Sequence, residues 1–182
     1  MGRKESRIQS WTNRFLLTIF IIFTTQNLIS SPVDDHQERF EDVALKIWEY
    51  AELGYLEEKS SGLLQQELED SGFTIQSGIA GIPTAFIAEY NNGGPILGIL
   101  GEFDALPGLS QQNVPFKTAE GLSSANGHAC GHHLFGAASA WAVVAIKEWL
   151  EESGTPGTIR FYGTPAEEGG SGKVYIARDG YF

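Results

Sequence analysis

The segment LFGAASAWAVVAIKEWL, residues 134–150, constrains the fold of this chain more than any other stretch. Its apolar side chains cover nearly the whole helix circumference for three turns, before Lys147, Glu148, Glu151 and Glu152 mark a wet end. A helix that is apolar all round has to be buried on several sides, so other layers must enclose it. Strand-like runs flank it: Pro83–Tyr90 and Ile96–Phe103 before it, and Thr158–Tyr162 after it. Upstream, Phe40, Val43, Ala44, Ile47 and Ala51 recur at helical spacing within His36–Leu53. Ser60–Asp70 reads as a second, weaker helix closed by Ser71-Gly72, and a last helix is predicted to begin near Ser171. Strands alternating with helices imply an α/β domain with a mixed, mostly parallel sheet sandwiched by helices. Within it, Pro83–Tyr90 and Ile96–Phe103 are predicted to form an antiparallel hairpin across the turn NNGG.

At 182 residues the chain suits one domain, and its apolar and charged fractions are those of a globular protein. The first 31 residues differ from the rest. Arg3, Lys4, Arg7 and Arg14 precede the apolar run Phe15–Phe23, and TTQNLISS comes after it. That order of basic, apolar and small polar residues predicts a signal peptide over residues 1–31, the run being too short for a comfortable membrane span. An uncleaved anchor and a misplaced start remain as alternatives. The protein is expected to be exported, periplasmic or extracellular, where the leader functions, and cytoplasmic otherwise. A net charge of -11 argues against nucleic acid and anionic membranes as partners. With a single cysteine, no internal disulfide can form.

That cysteine lies in GHACGHHLFG, residues 127–136, beside three of the four histidines. Cys130 and His132 are two apart. On a helix they would diverge by about 200°, whereas in an extended loop they face the same side, so a shared metal requires the helix to begin at about His133. Glu102 and Asp104 have the same spacing at the end of an apolar strand, where a period of two puts both on one face. Glu167-Glu168 is an adjacent pair, read as an extended segment that sends one carboxylate to a metal and the other toward water as a base. Each has a plain alternative: a cysteine packed as a small hydrophobe, acids marking a strand exit, an acidic pair in a glycine loop. All three stretches fall where strands of an α/β sheet end or helices begin, the usual place for ligands.

Several ordered stretches add a resemblance. GHACGHHLFGAASAWAVVAIKEWLEESGTPGTIRFYGTPAEEGGSGK, GIAGIPTAFIAEY and LGEFDALPGLSQQ resemble the amidohydrolase branch of the two-metal aminoacylase/carboxypeptidase metallopeptidases. That branch includes p-aminobenzoyl-glutamate hydrolases and hydrolases of auxin–amino acid conjugates. The likeness runs from Phe40 to Phe182, so residues 32–182 are expected to be the N-terminal part of a catalytic domain. It implies metal ligands at Cys130, His132 and Glu168, with Cys130 on a position able to bridge two ions. It implies a general base at Glu167 and, at Asp104, an acid that orients the site from behind. Glu102 stands where some relatives carry a ligand and others an acid, and His128 supports the loop. His133 replaces the Asp or Asn usual among relatives. Two divalent ions, zinc or manganese, a small substrate with a free carboxylate and a homodimer are implied for the complete enzyme. Relatives also carry two further histidines downstream and a lid and dimerisation domain. The expectation is therefore an incomplete and inactive chain; the alternative function is an inert, truncated remnant.

Overall fold

The structure is a computed structural model that describes residues 33–109, 112, 114, 116 and 125–182. The leader predicted over residues 1–31 lies outside them. Of the described residues, 33–35 fall to a first unit and His36–Phe182 form a second, compact one. The second is built from α1 (Gln37–Tyr50), α2 (Glu58–Asp70), β1 (Thr74–Ser77), β2 (Phe86–Asn91), β3 (Ile96–Gly101), α3 (His132–Ser153), β4 (Thr158–Gly163), the single turn α4 (Glu167–Gly170) and α5 (Gly172–Arg178).

The strands form one sheet in the order β1-β2-β4-β3. β3 pairs with β4 in parallel, while β1–β2 and β2–β4 are antiparallel. The sheet is mixed, but it is not mostly parallel, and the expected hairpin between β2 and β3 does not form. The reason lies in the NNGG connection. It does not fold its two strands together but wraps around the start of β4, which slides between them. Asn92 N–H donates to Gly157 O, Thr158 N–H donates to Pro95 O, and the Thr158 hydroxyl reaches Asn91 Oδ1 at 3.2 Å. Gly94 makes this possible: a Cβ there would meet Pro156 O at 2.5 Å.

Period-two alternation separates two apolar faces. On one, Phe86, Ala88, Ile159 and Phe161 pack against Phe40, Val43 and Ile47 of α1, Leu64 and Leu68 of α2, and Ala137, Ala140, Val143 and Val144 of α3. On the other, Ile87 and Tyr162 meet Ile79, Ile82 and Ile176. The helix that is apolar all round thus lies between the sheet and α1. Helices do flank both faces, but unequally: β3 leaves Ile96 and Leu97 more than half exposed.

The parallel pair places the site. Parallel strands need a long crossover, here supplied by α3, and they end at the same sheet edge. Gly101 and Gly163 are register partners there, so residues 102–104 and 164–168 leave the sheet side by side. α3 starts against the same edge because Gly136 permits it; a Cβ on Gly136 would meet Glu102 O at 2.6 Å.

Candidate metal centre

His132 is the hub. α3 begins at this residue, one position earlier than the spacing argument required, with Gly131 ahead of it in the left-handed region (φ +85°). Cys130 therefore stays outside the helix, and its thiol is exposed rather than packed as a small hydrophobe. Asp104, buried behind the ring, accepts from His132 Nδ1 at 2.8 Å, and its backbone oxygen lies 3.2 Å from the same nitrogen. With only acceptors around it, Nδ1 carries a proton, which orients the ring and turns Nε2 toward the remaining carboxylates. Glu102 Oε2 lies 2.8 Å from that Nε2. Phe103, between the two acids, is fully buried, so period two sends Glu102 and Asp104 to opposite edges of one imidazole.

Glu167 and Glu168 approach from β4. Glu168 Oε1 is 3.8 Å from Nδ1, and Glu167 Oε2 is 3.8 Å from Nε2. Their backbone is not the extended segment the sequence suggested. It is one helical turn opened by a left-handed Ala166 and broken at Gly169. The two carboxylates part because each reaches a different edge of the same ring. Glu168 is largely buried, whereas Glu167 keeps much of its side chain in solvent.

Two three-residue groups result, each with its donor atoms within 4.8 Å of one another: Cys130, His132 and Glu168, and Glu102, His132 and Glu167. Thiol, imidazole and carboxylate are the donor types that suit zinc and similar ions. Glu168 Oε1 is buried with no hydrogen-bond partner, a costly arrangement that a cation would relieve. The donor set fits a divalent ion. The carboxylates also set the charge state of their neighbours. The charge of Glu168 foremost, with those of Glu167 and Glu102, pushes the Cys130 thiol up. Burial alone would lower His132, yet Asp104, Glu102 and Glu168 hold it above the ordinary value. Burial likewise acts to raise Asp104, but His132 and the Glu168 N–H outweigh it and hold that carboxyl down.

The other histidines stand apart from both groups. His128 is buried, with Nε2 3.1 Å from Ile47 O, tying the loop to α1. The His133 ring lies 5.0 Å from that of His128, and burial pushes its pKa down to about 4. His36 pairs with Glu148 at the far end of α3. Sequence reasoning missed two charged residues. Lys173 of α5 forms an ion pair with Glu102. Glu57, fully buried, accepts from Ala166 N–H at 2.8 Å and from the Thr84 hydroxyl at 3.1 Å. As one of two adjacent acids beginning a helix, it carried no signal that set it apart from Glu58.

Residues 98–182, which hold every member of both groups, match the model of peptidase family M20/M25/M40. A p-aminobenzoyl-glutamate hydrolase subunit of Escherichia coli is 44% identical over 154 residues, covering 85% of this chain and 32% of that protein. The Xaa-Arg dipeptidase of Mus musculus is 31% identical, covering 82% of this chain and 34% of its own length. Among solved structures, a dinuclear metal-binding M20-family peptidase of Bacillus subtilis superposes with a TM-score of 0.62 at 26% identity, covering 79% of this chain and 39% of that one. The chain spans about one third of the length of the curated relatives it matches. By its matched segment and its shared architecture, the chain carries part of a peptidase family M20/M25/M40 domain.

Proposed function

We propose that these residues form part of the centre of a metal-dependent amidohydrolase. Its substrates would be N-acyl amino acids, aminobenzoyl-glutamate-like compounds or dipeptide-like compounds with a free carboxylate. The observation that carries this reading is the convergence of Cys130, His132 and Glu168 within 4.8 Å around a buried, unpartnered carboxylate oxygen. The names of the relatives, a hydrolase of p-aminobenzoyl-glutamate and a dipeptidase, point to the same bond class. Cys130, His132 and Glu168 would hold one divalent ion, zinc or manganese, and Glu102 would offer a carboxylate to a second. When bound, such ions polarise a carbonyl and lower the pKa of water. Asp104 keeps the His132 ring oriented through Nδ1. Glu167, the more exposed of the pair, takes a proton from the attacking water and passes it to the leaving amine. The complete enzyme is proposed to be a homodimer.

A second reading, an inert remnant, draws on a different observation. Both donor groups use the single His132, and among the described residues no further histidine joins either. One imidazole nitrogen cannot serve two ions. The test is hydrolysis of p-aminobenzoyl-glutamate and N-acyl amino acids with Zn²⁺ or Mn²⁺, by the 182-residue protein and by a protein extended with any downstream coding sequence. Metal-dependent turnover in the extended form alone, abolished by Glu167→Gln, is the expected result. Turnover that survives chelation and Glu167→Gln would reject the metal-centre reading. Metal-dependent turnover by the 182-residue protein would reject the remnant.

A further inference from the structure

Ahead of Glu167 stands Ala166, a fully buried alanine in the left-handed region (φ +56°, ψ 43°). A side chain with a Cβ stays there only where its surroundings over-determine it. The hydrogen bonds around the loop show what does so. Ala166 N–H donates to Glu57 Oε1 at 2.8 Å, and Glu168 N–H donates to Asp104 Oδ2 at 2.9 Å. Glu167 is therefore bracketed by two amides, each held by a buried carboxylate. Pro165 has no N–H to offer, so the Ala166 amide is the first backbone donor after Thr164. On the far side, Ala166 O accepts from Gly170 and Gly172, which carries the constraint into α4 and α5.

Glu57 is unusual for its position. It stands at the N-cap of α2 yet makes no side-chain cap there. Its carboxylate turns inward instead, with one oxygen on Ala166 and the other on the Thr84 hydroxyl. Burying a carboxylate is costly, and an apolar side chain would fill the same space without that cost. Glu57 belongs to neither three-residue donor group.

We propose that Glu57 is a positioning residue: it grips the Ala166 amide, holds residue 166 left-handed, and so aims Glu167 and Glu168 at the two edges of His132. This rests on the metal-centre reading and adds a residue that acts on the centre only through the backbone.

Cobalt provides a test that needs no turnover. Co²⁺ bound by a thiolate gives a near-ultraviolet charge-transfer band and visible bands that report coordination geometry, so affinity and shape are read together. Glu57→Ala is expected to keep its circular dichroism spectrum, to bind Co²⁺ about 10- to 100-fold more weakly, and to shift the visible bands, as loss of an outer partner of a ligand does. Glu57→Gln retains an acceptor for the Ala166 amide and is expected to bind close to wild type. A folded Glu57→Ala with wild-type affinity and spectrum would overturn the proposal, as would a Glu57→Gln no better than Glu57→Ala. Where Glu57→Ala does not fold, Glu57→Asp keeps the carboxylate but draws it back from the Ala166 amide by one methylene. Weakened Co²⁺ binding by that variant supports the proposal, and unaltered binding overturns it. A role confined to folding would lower the unfolding temperature and leave the bands in place. Wild-type protein that binds no Co²⁺ would overturn the metal-centre reading itself, and the Glu57 proposal with it.

Discussion

At the scale of single residues, the two adjacent glutamates should separate by experiment as they do in space. Glu167→Gln in a complete enzyme is expected to retain metal and lose turnover by about 10²- to 10⁴-fold, the usual worth of a general base. Glu168→Gln, which removes a buried donor beside Cys130, is expected to lose metal affinity as well. Metal analysis of the two purified variants, set against their rates, decides it: equal metal loss would remove the distinction. Glu57 has its own signature. Burial, working against its hydrogen bonds, pushes its pKa from 4.5 up to about 7. Between those values the folded protein holds a proton that the unfolded chain has released. Its contribution to stability is therefore full below pH 4.5, declines as pH rises toward 7, and is flat beyond. Glu57→Gln stays neutral throughout. The variant should gain stability relative to wild type as pH rises, measured by urea unfolding at about pH 5 and about pH 8, either side of that decline. A constant difference would contradict the raised pKa.

At the scale of elements, small residues decide how closely α3 can approach the edge where β3 ends. Gly136 lies over the backbone of Glu102, where a Cβ would come within 2.6 Å of a carbonyl oxygen that has no freedom to swing aside. Gly136→Ala is expected to destabilise the fold by about 1–3 kcal/mol, the usual cost of overpacking. Because His132 sits one turn before Gly136, the same substitution should also weaken metal binding. Thermal unfolding and a Zn²⁺ titration, run on one sample, check both effects. Loss of stability with unaltered Zn²⁺ affinity would show that α3 absorbs the strain without moving its first turn. The missed pairing belongs to this scale too. NNGG between two apolar runs reads locally as a hairpin turn. Nothing in either run reveals that a strand from far downstream will slide between them.

For the whole molecule, the donor count sets the expectation. With His132 common to both groups, the 182-residue protein should bind about one divalent ion per chain and show no amide hydrolysis. Elemental analysis after dialysis against Zn²⁺ checks the stoichiometry, and two ions per chain would contradict it. Among the described residues no helix is long and apolar enough to cross a membrane. The leader proposed for residues 1–31 is tested by N-terminal sequencing of protein recovered outside the cytoplasm; an intact Met1 there would reject cleavage.

The sequence by itself determined most of the elements and the donor types available to a site. Periodicity located α1, α2, α3, β2, β3 and β4 to within a few residues, because each buries a face that its own spacing writes out. The donor types at 102, 104, 130, 132, 167 and 168 were legible because thiol, imidazole and carboxylate are properties of single residues. What tertiary structure alone decided was adjacency. It put β4 between β2 and β3, made two of three strand pairings antiparallel, and left short β1, which has scarcely any buried face, to be found by its partner. It set the two carboxylates on opposite edges of His132 by bending Ala166 rather than by extending the chain. It also turned Glu57 from a helix-start acid into a buried grip on the Ala166 amide, 109 positions away. Local spacing fixes which way a side chain leaves its own backbone. Which distant backbone it then meets is settled by how the layers close around α3.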